Sequence, residues 1–178
     1  YQVRGLDADG DLLTYHLITA PSGMQIDSAT GMVSWKPSAV SSGPQTFVAI
    51  VTDGRGGMAE QSYTLTIVDT TPGSVSGVVF NDLDADGIVD SGESGLAGWV
   101  VYVDQNHDRH QGEDEPSTVT ADGGNYTFTS LLPDSYRVEV VAPNGWFRTL
   151  PVIGGREITV TPGQLVSGQN FGAIASIR

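Results

Sequence analysis

From Leu12 to Ile18, the apolar residues Leu13, Tyr15 and Leu17 alternate with Thr14 and His16, and the same period of two returns at Tyr63, Leu65 and Ile67. Successive side chains of an extended chain point to opposite faces, so this alternation predicts half-buried strands. Between them, Ser22-Gly23, Ala29-Thr30-Gly31 and Asp53-Gly54-Arg55-Gly56-Gly57 supply residues that accept turn geometry, the last with several able to take positive φ at a hairpin. Further along, Ser74 to Phe80, Trp99 to Val103, Asn125 to Thr129, Tyr136 to Val141 and Arg156 to Val160 also read as strands, separated by acidic loops and Pro/Gly turns. The run Trp99-Val100-Val101-Tyr102-Val103 is apolar on both faces, which fits a central strand or one whose outer face packs on a neighbouring domain. Long helical periodicity is absent, so the expected class is all-β, with the strand spacing of a sandwich.

The segment Asp69-Thr70-Thr71-Pro72-Gly73 follows the strand ending near Val68, and Pro72 has no N–H to continue a ladder. A boundary there gives two tandem domains, 1–69 and 74–172, with a short linker at 70–73 and a tail from 173 to 178. The 178 residues suit two small domains, each with a modest core. There is no cysteine, so neither disulfides nor thiolate metal sites can brace them.

Charge narrows the partners. Eight Lys and Arg stand against 21 Asp and Glu, for a net charge of −13. Such a surface repels nucleic-acid phosphates and anionic lipid and attracts cations. No apolar run approaches the roughly 18–20 residues that span a bilayer, so membrane insertion is not expected. The chain opens on neither a start Met nor a signal peptide and reads as an internal or processed fragment.

Ten of the 21 acids fall between positions 82 and 115, opposed only by Arg109. In the loop 82–93, Asp82, Asp84, Asp86, Asp90 and Glu93 occupy positions 1, 3, 5, 9 and 12, and Gly87 sits at position 6. That is the pattern of the twelve-residue EF-hand calcium loop. Alternate side chains of a tightly coiled loop point inward, Gly87 permits the sharp turn, Ile88 offers its backbone carbonyl and Glu93 can close the shell with two oxygens. In the loop 104–115, Asp104, Asn106, Asp108 and Glu115 repeat positions 1, 3, 5 and 12, with His110 offering its carbonyl. Arg109 replaces the turn glycine and Gly112 the position-9 acid, which predicts weaker binding or altered geometry. Carboxylates about 4 Å apart repel by roughly 1 kcal/mol in water and about 4 kcal/mol at an effective dielectric of 20. A hard divalent ion reverses that sign, so calcium is the expected cofactor. A merely solvated acidic face would not place alternate acids, a glycine at 6 and a glutamate at 12 together.

Several motifs carry a family resemblance. Gly77-Val78-Val79-Phe80, the two loops, Gly95-Leu96-Ala97-Gly98, Glu115-Pro116, Asp122-Gly123-Gly124-Asn125-Tyr126-Thr127-Phe128, Leu132-Pro133-Asp134-Ser135-Tyr136-Arg137-Val138 and Asn170-Phe171-Gly172 occur in order. Residues 74–172 thereby resemble the SdrD-type B domain of bacterial surface adhesins, a prealbumin-like β-sandwich. The resemblance implies calcium at Asp82, Asp84, Asp86, Asp90, Glu93, Asp104, Asn106, Asp108 and Glu115, and a role in rigid stalks. It also carries over Asp122, for which an Asp-Gly hairpin is the equal alternative.

In the first half, Asp7-Ala8-Asp9-Gly10-Asp11, Ala20-Pro21-Ser22-Gly23-Met24, Asp27-Ser28-Ala29-Thr30-Gly31, Trp35-Lys36-Pro37 and Val51-Thr52-Asp53-Gly54 are similar to the Ig-like or cadherin-like repeats of large bacterial surface proteins. Metal at Asp7, Asp9, Asp11 and Asp53 is one reading of these acids; turns and strand ends are the other. Such repeats usually have a strand before the segment at Tyr1, so a missing edge is expected, filled by upstream sequence or by a strand from another subunit in a homo-oligomer or fibre.

No catalytic reading matches this one. His16, His107 and His110 are the only histidines, and the last two stand among hard oxygens that favour calcium over zinc. The acids are accounted for by ion binding, which leaves no spare pair for glycoside hydrolysis. The expectation is a non-enzymatic, calcium-rigidified module of a secreted or cell-surface protein, in contact with neighbouring domains of its parent chain. A calcium-dependent carbohydrate-binding module is the rival, with Trp35 and Trp146 as stacking platforms rather than core lids.

Overall fold

A computed structural model describes residues 1–38 and 41–176. The chain is all-β and divides into two compact units, Tyr1–Asp69 and Thr70–Arg178. Among the described residues, no helix is long and apolar enough to cross a membrane.

In the first unit, β1 (Thr14–Thr19), β4 (Gly43–Thr52) and β5 (Met58–Ile67) form an antiparallel sheet in the order β1-β4-β5, beside the hairpin of β2 (Gln25–Ile26) and β3 (Val33–Ser34). The segment at Tyr1–Val3 joins this second layer, with Val33 N–H donating to Tyr1 O and Val3 N–H to Gly31 O. Val3, Tyr15, Met24, Val33, Phe47 and Ala49 are the buried core. Strand β4 is not marked by alternation, because Phe47-Val48-Ala49-Ile50-Val51 is continuously apolar, as a strand paired on both edges allows.

The second unit is a sandwich. One sheet has the order β12 (Arg156–Val160), β10 (Asp134–Val141), β7 (Val100–Val103), β8 (Ser117–Val119). The other runs β11 (Trp146–Leu150), β14 (Phe171–Ala175), β6 (Gly73–Asn81), β13 (Leu165–Val166), and β9 (Asn125–Leu131) pairs with β6. Strand β6 is shared along its length: Val75–Val78 pair with Phe128–Asn125, and Val79–Asn81 pair in parallel with Phe171–Ala173. Val75, Val79, Val101, Val103, Val138, Val160 and Phe171 are fully or almost fully buried between the sheets. Each contributes about 1.5–3 kcal/mol through apolar burial. The doubly apolar strand is central, with β10 and β8 on its two sides, and Tyr102 is buried as well as Val101 and Val103.

Two expected boundaries shift. The short segment expected as a linker at 70–73 is tied into the second unit: Thr71 O accepts from Gly163 N–H at 2.9 Å and Gly73 already opens β6. Nor does a tail begin at 173, since Ala173–Ala175 complete β14 and pair with β11. Glycine and alanine are weak strand formers, and tertiary pairing places them in the sheet.

Candidate metal centre

Both acidic loops begin where a strand ends and open on a buried aspartate. Strand β6 delivers Asp82, 0 % exposed, and β7 delivers Asp104, 1 % exposed. From there the two loops repeat one hydrogen-bond network. The position-1 carboxylate accepts from the N–H at position 6: Gly87 to Asp82 Oδ2 at 3.2 Å and Arg109 to Asp104 Oδ2 at 3.1 Å. The position-3 oxygen accepts from position 5: Asp86 N–H to Asp84 Oδ1 at 3.3 Å and Asp108 N–H to Asn106 Oδ1 at 3.0 Å. The position-5 carboxylate accepts from position 7: Ile88 N–H to Asp86 and His110 N–H to Asp108, both at 2.7 Å. The closing glutamate straps positions 2 and 9: Glu93 accepts from Leu83 and Asp90, and Glu115 from Gln105 and Gly112.

The backbone repeats as well. Positions 4 and 6 take positive φ in both loops, at Ala85 (61°) and Gly87 (79°), and at His107 (62°) and Arg109 (63°). The Arg109 departure therefore leaves the backbone turn intact, although Asp104, Asp108 and Glu115 form no group of carboxylate oxygens within 4.8 Å among the described residues. A side chain is held in a conformation that costs an L-residue roughly 1–2 kcal/mol.

In the first loop, carboxylate oxygens of Asp82, Asp84 and Asp86 lie within 4.8 Å of one another. Asp82 Oδ1 is buried and makes no hydrogen bond, and neither does Asn81 Oδ1 beside it. Leaving such an oxygen unpaired costs about 1–3 kcal/mol, more for a charged group. A divalent cation is the ligand this donor set fits: clustered hard oxygens, one of them dry and unsatisfied. Burial first, and then the charges of Asp86, Asp84 and Glu93, hold the Asp90 carboxyl above its ordinary pKa. The carbonyls of Ile88 and His110 accept no hydrogen bond among the described residues. The rings of His107 and His110 belong to no group of metal-ligating side chains among the described residues; His110 Nδ1 lies 2.8 Å from Asp108 O.

The loop roots are fixed by residues remote in sequence. Asp82 N–H donates to Ala173 O at 2.9 Å, and the Thr149 hydroxyl donates to Asp82 Oδ2. Gly172 makes this approach possible, since a Cβ there would sit 2.6 Å from Thr149 Oγ1 and 2.7 Å from Asp82 Oδ2. Asp104 N–H donates to Arg137 O at 2.8 Å, and Arg137 Nε lies 3.8 Å from Asp104 Oδ2 and 3.1 Å from Glu139 Oε1. Burial, followed by the charges of Glu139, Asp104, Glu115 and Asp108, pushes the Tyr102 hydroxyl up to about 12. The spacing of the acids assigns no role to Thr149, Arg137, Glu139 or Gly172, although Arg137 and Gly172 fall within the motifs that carry the family resemblance.

Asp122 belongs to no group of clustered metal-ligating side chains among the described residues. It is exposed in the turn before β9, its carbonyl accepts from Asn125 Nδ2 at 3.4 Å, and Gly123 and Gly124 take φ of 81° and 73°. In the first unit, Asp7, Asp11 and Asp53 bring carboxylate oxygens within 4.8 Å, while Asp9 is outside the group. Turn geometry occupies these acids. Asp7 Oδ1 accepts from the N–H groups of Asp9 and Asp11, and Asp53 Oδ1 from those of Arg55 and Gly57. Arg55 adds a counter-charge 3.2 Å from Asp11.

Comparison with known proteins gives two family matches: SdrD B-like domain over residues 73–161 and Putative Ig domain over residues 1–68. Serine-aspartate repeat-containing protein C of Staphylococcus aureus strain Newman is 31% identical over 91 residues, covering 51% of this chain and 9% of that protein. The chain thus spans less than a tenth of the curated relatives it matches. Among solved structures, the major pilin subunit BcpA of Bacillus cereus aligns over 80% of this chain and 41% of its own, at 12% identity and a TM-score of 0.42. The Bacillus anthracis TIE protein aligns over 92% and 34%, at 15% identity and 0.44. Both scores lie below the level at which a shared fold follows. On the match over residues 73–161, the chain belongs to the SdrD B-like domain family.

Proposed function

We propose that the second unit is a calcium-holding structural module of a secreted or cell-surface bacterial protein, in which two ions lock the loops 82–93 and 104–115. The observation that carries this reading is Asp82 Oδ1, a buried carboxylate oxygen without a partner in a site where Asp84 and Asp86 add oxygens within 4.8 Å. Asp82, Asp84, Asp86, Asp90 and Glu93 with the Ile88 carbonyl hold one ion. Asp104, Asn106, Asp108 and Glu115 with the His110 carbonyl hold the other. In both loops the N–H groups of the chain already orient the acids, so an ion adds its own attraction to a shape built by hydrogen bonds. With a dissociation constant near 10⁻⁴ M, as in extracellular modules, and calcium a hundredfold above it, each site adds about 2.7 kcal/mol. Native mass spectrometry in calcium tests this: two retained ions per chain support it, and a chain that carries none refutes it.

Mechanical load-bearing fits this chemistry better than sugar binding. Trp146 packs edge-on against Trp99 at 5.3 Å, and Trp35 packs on the first core with Nε1 donating to Ser22 O at 3.1 Å, so both rings serve as lids. For assembly, the outer edge of β5 is the candidate acceptor of a strand from a neighbouring domain or a second copy. It is ten residues long, pairs in unbroken register with β4, carries Glu60 as its one charge and has no strand on its far side among the described residues. A concentration-dependent mass in sedimentation would support pairing between copies, and a monomer at every concentration would leave the edge to a neighbouring domain.

A further inference from the structure

We propose that Asn144 is a site of spontaneous deamidation in the folded protein, a modification that needs no enzyme and is independent of calcium. Asn144 is exposed in the turn that leads into β11, and it is the one asparagine of the chain followed by glycine. The turn is held from both sides, by Trp146 N–H donating to Pro143 O at 3.1 Å and Ser176 N–H donating to Gly145 O at 2.7 Å. Neither the Asn144 side chain nor the Gly145 N–H has a hydrogen-bond partner among the described residues. Gly145 sits at φ 86° with no atom beyond its chain neighbours closer than 4.0 Å to where a Cβ would be, so no side chain of its own and no packed neighbour crowds that face of the turn.

These are the conditions for attack of a backbone nitrogen on the preceding side-chain amide. The Gly145 nitrogen gives its proton to hydroxide and forms a bond to Asn144 Cγ, the Cγ–Nδ2 bond breaks as Nδ2 takes a proton from water and returns the hydroxide, and ammonia leaves to give a five-membered imide. Water then opens the imide at either carbonyl, leaving aspartate or isoaspartate, with no change of oxidation state. The other asparagines lack one or more of these features. Asn81 Oδ1 is buried, Asn106 is bonded to Asp108 through both its amide atoms, Asn125 Nδ2 donates to Asp122 O, and Asn170 Oδ1 accepts from Val78 N–H. Their following residues, Asp82, His107, Tyr126 and Phe171, all carry side chains that hinder the attacking nitrogen. The product adds a negative charge to a chain already at −13. The isoaspartate form also inserts a methylene into the main chain next to the bond that ties Gly145 to Ser176.

Peptide mapping by mass spectrometry of the folded, calcium-supplied chain, aged at neutral and at mildly alkaline pH beside a denatured control, tests the proposal. The expected result is an OH-for-NH₂ mass gain at Asn144 several-fold faster than at Asn106, Asn125 or Asn170, rising with hydroxide and absent from Asn144→Gln. Conversion at Asn144 only in the denatured chain, equal rates at the other asparagines, or an unchanged gain in Asn144→Gln would each overturn it.

Discussion

Arg148 Nη1 lies 2.7 Å from Glu139 Oε2, an ion pair that joins β11 of one sheet to β10 of the other in the second unit. Glu139 is 3 % exposed and is held on its other oxygen by Arg137, which also lies beside Asp104 at the root of the second loop. The residue after Arg148 is Thr149, whose hydroxyl holds Asp82 at the root of the first loop. Adjacent residues of one strand therefore brace both acidic loops against a common frame.

That frame has a measurable weight. Replacing Arg148 by Met strands half of a buried carboxylate, and breaking such a pair costs about 3 kcal/mol. Urea unfolding should show a lower midpoint for the second unit with an unchanged slope.

Gly172→Ala tests the close approach at Asp82. The new methyl would lie 2.6 Å from Thr149 Oγ1 and 2.7 Å from Asp82 Oδ2, so the strand or the aspartate must move. A loss of about 1–3 kcal/mol is expected. Calcium titration should show the first loop weakened and the second retained.

Arg109→Gly should improve the second loop. Glycine accepts the φ of 63° without a Cβ clash, and the substitution removes the one positive charge of that loop. The gain in calcium affinity is about 1 kcal/mol, from the lost repulsion between a cation and a divalent ion. Calorimetric titration of the variant against the parent protein checks it.

Acid sensitivity of the first unit should trace in part to Asp27. Hydrogen bonds from the Thr30 N–H, the Thr30 hydroxyl and the Ala29 N–H hold its carboxyl below the ordinary value of 3.8. A depressed folded-state pKa gives stability that is present above the unfolded value and lost as pH falls through the folded one. Asp27→Asn should flatten the acid limb of the stability curve below about pH 4. An unchanged acid limb would show that Asp27 titrates alike in folded and unfolded chains.

The spacing of acids in the two loops was legible in sequence because loop chemistry is local: alternate residues face inward wherever the chain coils tightly. So were β1, β6, β7, β9, β10 and β12, whose apolar patterns reflect burial on a sheet. Strand β14 was not, since Phe171-Gly172-Ala173 gains its place from pairing with β6 and β11 and from the space Gly172 leaves for Asp82. The braces were equally invisible. Thr149 lies 67 residues from Asp82, and only the sandwich brings the two together. At position 6 of the second loop, the arginine suggested an altered turn, yet the surrounding hydrogen bonds impose positive φ on it all the same.

Thermal unfolding of the chain in millimolar calcium and in excess chelator measures the central claim most directly. Two sites contributing about 2.7 kcal/mol each predict a fall of at least about 10 °C in the melting temperature of the second unit when calcium is withdrawn. A melting temperature that stays the same in chelator would contradict the account.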